Sequence, residues 1–155
     1  MRDWLWTLFI VLLVYFYAVL AASCSGEISY TTKHGIAVVE CNKNQPTQDE
    51  IEQTTENVVA WFLPYFKEDR LKDAVWGTVV EFYSVEQIDG GVSWAYPNKT
   101  IKISTMADVP PVALLWHELG HIVLWHAPQE PLANKDHHPW MCATGFEPAA
   151  CDWPE

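Results

Sequence analysis

Positive charge is scarce in this chain. Nine Lys and Arg residues stand against 20 Asp and Glu, for a formal net charge of −11, and none of the nine gathers into a cluster. Binding a phosphate backbone needs a basic face, so the balance argues against a nucleic-acid partner. It otherwise shows only that the chain carries enough charge to stay in solution. Cysteine is scarce as well. The four residues Cys24, Cys41, Cys142 and Cys151 form no C-x-x-C pair, which leaves a thiolate metal site without support. There is no internal repeat and no low-complexity tract, and 155 residues hold one domain with a real core rather than two.

Uncharged sequence, by contrast, is plentiful near the amino terminus. The 19 residues from Trp4 to Ala22 contain no charge, and Thr7 is their only clearly polar side chain. That is close to the length that crosses a bilayer. Small residues Ala21, Ala22 and Ser23 then precede Cys24. Residues 1–24 therefore read as a cleaved secretory signal or as an uncleaved anchor whose Trp4, Trp6, Tyr15 and Tyr17 suit a membrane interface. The run Leu20-Ala21-Ala22-Ser23-Cys24 also resembles a bacterial lipoprotein signal, which implies lipidation of Cys24; it departs from that pattern at Ala21, where the family has Leu. All three readings export a domain spanning residues 25–155, and two tie it to a membrane. In an oxidising compartment Cys142 and Cys151 enclose a short loop suited to a disulfide, and Cys41 is a partner for Cys24 if the latter is not lipidated.

The exported part alternates between strand and helix patterns. Residues 25–33 are polar and read as a linker or the entry to a first strand, and Gly35 to Cys41 reads as a strand. Thr47 with Glu50 makes a capping box, opening a helix whose Ile51, Thr55, Val58 and Phe62 form an apolar stripe that packs on a sheet and ends by Pro64. Val75 to Ser84 is rich in β-branched and aromatic residues and predicts a strand, and Gly90-Gly91 predicts a turn. Val92 to Tyr96 and Lys99 to Ser104 flank Pro97-Asn98 as a hairpin, in which Ile101 and Ile103 alternate with Lys102 and Ser104. Asn98-Lys99-Thr100 has the form of a glycosylation sequon, which matters only in a eukaryotic host.

The chemistry concentrates in Trp116-His117-Glu118-Leu119-Gly120-His121, an H-E-x-x-H sequence within the apolar run from Val112 to Trp125. Apolar residues at 112, 115, 119, 122 and 123 recur at helical spacing, and Pro110, Pro111 and Pro128 bracket the segment as a helix of limited length. Residues four apart share a helix face, so His117 and His121 would present two imidazoles to one metal ion. Glu118 would sit beside the metal, placed to take a proton from a water whose pKa the metal has lowered. This pattern is a metalloprotease signature.

From residue 35 to about 145 the order of strand, helix, strands and H-E-x-x-H helix resembles the zincin metallopeptidases. The resemblance implies an α+β fold: a small mixed sheet with one packing helix and one active-site helix, here preceded by an apolar amino-terminal helix. It also implies a Zn2+ cofactor, Glu118 as general base, and a peptide held as an added strand on a sheet edge supplied by Val92–Tyr96 or Lys99–Ser104. Catalytic zinc usually takes a third protein ligand. Metzincins draw it from H-E-x-x-H-x-x-G-x-x-H, but Leu124 and Ala127 occupy the Gly and His positions here. His126 lies about 140° around a continuing helix from His121. The segment Lys135-Asp136-His137-His138-Pro139 is more similar to the SprT-like zincins, which points to His137 with His138 as its rival. Asp136 reads as a solvated loop residue or, as carboxylates often do, as one that orients a ligand imidazole. Met141 stands where a metzincin-like Met-turn would place it, or simply packs in the core.

The leading expectation is thus an exported, membrane-tethered zinc metallopeptidase acting on peptide or protein substrates. A second is a non-catalytic metal-binding or partner-binding protein that keeps the histidine pair without a usable cleft. A third, a cytosolic SprT-like protease acting on DNA-bound protein, is opposed by the apolar amino terminus and by the acidity.

Overall fold

The computed structural model describes residues 27–39 and 44–127, together with Trp6, Ile10 and Val11. Those last three are helical and solvent-exposed, and the remainder of the expected amino-terminal helix lies outside the described residues. So do the four cysteines, Pro128, His137, His138 and Met141. Among the described residues, no helix is long and apolar enough to cross a membrane.

Among the described residues from 27 onward the fold is a mixed α/β arrangement of five strands and three helices. Strands β1 (Ile28–Thr31) and β2 (Ala37–Val39) are followed by helices α1 (Gln48–Phe62) and α2 (Glu68–Val75). Then come β3 (Val79–Tyr83), β4 (Ser93–Tyr96), β5 (Thr100–Ser104) and α3 (Pro111–His126). The sheet order is β1-β2-β3-β5-β4. The three inner strands run parallel, and the edge strands β1 and β4 run antiparallel to their neighbours. The parallel step from β2 to β3 needs a long crossover, which α1 and α2 supply.

Local chemistry explains most of these boundaries. Thr47 caps α1 with the reciprocal Thr47–Glu50 bonds of a capping box, satisfying amides at the helix start that lack an intrahelical partner. The buried stripe of α1 is Ile51, Thr54, Thr55, Val58 and Phe62, and it joins the same core as Val38, Val80, Phe82, Ile101 and Ile103 from the sheet. Truncating a buried phenylalanine such as Phe62 or Phe82 to alanine should cost about 3–5 kcal/mol. Helix α3 is buried nearly all round because it lies between α1 and α2 on one side and β4 and β5 on the other. That placement is what its almost uninterrupted apolar sequence demands.

Two expectations need correction. Val75 does not open a strand: it closes α2, an eight-residue helix, and β3 begins only at Val79. The break falls at Trp76-Gly77, where Gly77 takes a φ of 79°, a backbone conformation few other residues adopt without strain. Lys99 of the β4–β5 turn, itself at φ 63°, sends its Nζ to the carbonyls of Asp73 at 2.8 Å and Trp76 at 2.9 Å. It thereby satisfies carbonyls at the carboxyl end of α2. The second correction concerns the substrate edge. Lys99–Ser104 cannot serve, because β5 is paired on both sides; the edge beside α3 is β4.

Candidate metal centre

Helix α3 brings His117, Glu118 and His121 to one spot facing β4. One turn of helix separates the two rings, and their Nε2 atoms lie 3.2 Å apart, with ring centroids at 4.8 Å. Two imidazole donors about 2.0–2.1 Å from one tetrahedral zinc ion would stand roughly 3.3 Å from each other, so the spacing fits a shared metal. One ligating atom from each of His117, Glu118 and His121 falls within 4.8 Å of the others. Among the described residues this is the one group of His, Cys, Asp and Glu able to hold an ion, and His126 is not part of it. His126 is the exposed last residue of α3, and its angular offset turns it away from the face that carries His121.

His117 and Glu118 are buried, and Glu118 is only 4% exposed. A buried carboxylate needs hydrogen bonds, and β4 supplies them. Ser93 Oγ donates to Glu118 Oε1 at 2.6 Å, and the Ala95 main-chain N–H donates to the same carboxylate. Burial pushes the Glu118 carboxyl up to about 7, against the lowering effect of these two donors. In the metal-free protein desolvation therefore wins.

The walls of the site come from the same two elements. Trp125, four residues beyond His121, stacks on its ring at 5.5 Å between centroids and 28° between planes. Across the cleft, Trp94 Nε1 donates to the Ile88 carbonyl at 2.7 Å. Its indole lies so close to Gly91 that a Cβ there would come within 2.9 Å of Nε1; glycine is needed for that approach. The resulting cleft has a volume of about 440 Å³ and is lined by Ser93, Trp94, Ala95, His117, Glu118, His121 and Trp125. Its size is in the range of small-ligand and peptide side-chain sites.

The structure thus groups three of the four residues expected in the site and places His137, with its rival His138, outside the described residues. Two participants went unread in the sequence. Ser93 left no signal, because a serine on a strand has no pattern that links it to a glutamate 25 positions later. Trp125 did leave one, since a residue four beyond His121 shares its helix face. Comparison with protein-family models, with curated proteins and with solved structures finds no match to this chain.

Proposed function

We propose that this protein is a zinc-dependent peptidase of the zincin type, exported through its apolar amino-terminal segment and held at a membrane by it. The observation that carries the reading is the pair of ring nitrogens 3.2 Å apart, set beside a buried carboxylate in a cleft that opens along a sheet edge. His117 and His121 would hold the metal, with His137 as the third protein ligand. Zinc in such a site supplies Lewis acidity, polarising a carbonyl and lowering the pKa of water towards neutrality. Glu118 takes the proton from the attacking water and passes it to the leaving amine. Strand β4 holds the peptide extended by main-chain hydrogen bonds, which places the scissile bond across the cleft. Trp125 keeps the His121 ring from rotating away.

The deciding experiment compares the zinc-loaded wild type with Glu118→Gln on a quenched fluorescent peptide library. The wild type should cleave, and the variant should keep one zinc per chain and lose cleavage. Equal cleavage by the variant would refute the mechanism, and a wild type that binds zinc yet cleaves nothing would leave a metal-binding protein instead. Zinc content of His137→Ala against His138→Ala identifies the third ligand.

A further inference from the structure

The hydrogen bonds of β4 place two tasks on one residue. Ser104 N–H donates to the Val92 carbonyl at 2.8 Å, and β4 runs antiparallel to β5 with Ser93 opposite Ile103 and Ala95 opposite Ile101. Bonded and non-bonded pairs alternate in such a ladder. The main-chain groups of Trp94 and Tyr96 therefore turn inward to β5, and those of Ser93 and Ala95 turn outward to the edge, where no further strand pairs among the described residues. The Ala95 N–H that meets Glu118 is one of these outward groups. The side chains of Ser93 and Ala95 lie on the face that α3 covers, where Ala95 joins the core and Ser93 Oγ reaches Glu118 Oε1 at 2.6 Å.

Building on the peptidase reading, we infer that Ser93 is the positioning residue for the general base. A glutamate side chain has three rotatable bonds, and fixing them costs conformational entropy. The Ser93 hydroxyl and the Ala95 amide bear that cost in the folded state by holding the carboxylate at one place. One of its oxygens is then kept within 4.8 Å of the histidine nitrogens. Because the main chain of Ser93 also faces the edge where an extended peptide adds, base and substrate are placed relative to one another through a single residue. Substrate that pairs with Ser93 arrives in register with Glu118, with no loop in between to blur the alignment.

The test uses Ser93→Ala and Ser93→Thr in the full chain. With zinc bound and the peptide library as substrate, Ser93→Ala should lower kcat about 10- to 100-fold, the range for losing a group that orients a metal-site residue, with KM within about twofold. Ser93→Thr retains a hydroxyl on a strand-favouring residue and should recover most of kcat. A second readout needs no activity: Ser93→Ala should lower the Tm of the metal-free protein by about 3–6 °C, but by less than about 1 °C in a Glu118→Ala background. Cleavage by the wild type with unchanged kcat in Ser93→Ala overturns the positioning role alone, as does an equal Tm shift in both backgrounds. Absence of cleavage by the wild type, with the Tm coupling intact, overturns the catalytic role together with the peptidase reading.

Discussion

The two edges of the sheet are built to opposite ends. Strand β1 is exposed at three of its four residues, and its register against β2 slips between Ile28 and Tyr30. Such an irregularity spoils the edge as a template for another strand. Strand β4 keeps an unbroken register from Ser93 to Tyr96 and has α3 packed beside it. An intact edge is an aggregation hazard that folded proteins normally disarm. Here the regular edge is the one beside the histidine pair, and its hazard is reduced by its four-residue length and by Glu118, which takes one of its outward amides. The contrast teaches that the edge left regular is the one with a use for its main-chain groups.

The sharpest way to break this comparison is proline scanning of both edges. Ala95→Pro deletes the amide that meets Glu118 and should lower peptide cleavage more than about 100-fold while circular dichroism stays native. Ile28→Pro, on the blunted edge, should change cleavage less than about twofold, because prolines are tolerated on edge strands. Similar losses at both positions would show that the two edges are equivalent.

The next effect is on stability against pH. In the metal-free protein the Glu118 carboxyl sits near 7, above its unfolded value of about 4.5. Below pH 4.5 the group is protonated in both states and costs nothing. Between those values the folded chain holds a proton the unfolded chain has released, so stability falls as pH rises, by at most about 3 kcal/mol once pH exceeds 7. Glu118→Gln removes the dependence. Urea unfolding of chelator-treated wild type and variant should therefore diverge from pH 5 to pH 8, with the variant gaining; parallel curves would contradict the burial argument.

Smaller effects should distinguish site from scaffold. Trp125→Ala removes the ring stacked on His121 and should weaken zinc binding about tenfold in a chelator competition, as losses of ligand-orienting contacts do. Thr47→Ala removes the cap of α1 far from either edge. It should cost about 1 kcal/mol in denaturant unfolding and leave zinc affinity unchanged.

How far the sequence could be read depended on the range of the interactions. The capping box at Thr47, the hairpin turn at Pro97-Asn98 and the helical placement of His117 and His121 rest on residues three to five apart, and all three are found, the turn longer by one residue because Lys99 belongs to it rather than to β5. Helix α2 was missed because its sequence is largely charged, its N-cap Lys67 makes no side-chain cap bond, and only Leu71, Ala74 and Val75 are buried. It is held by packing on α3 rather than by its own pattern. Strand β1 was only half read for a related reason, since an exposed edge strand carries little alternation. Ser93 was beyond reach because its meaning comes from a contact across 25 positions.

The stacking of Trp125 on His121 has an optical consequence. An indole in ring contact with an imidazole reports that imidazole's electronic state through its emission, and coordination or protonation of His121 would change the quenching it exerts. The difference in emission between wild type and Trp125→Phe would then isolate one fluorophore among nine tryptophans. Titrated with metal, that difference signal would follow occupancy at the histidine pair directly, with no added dye and no substrate.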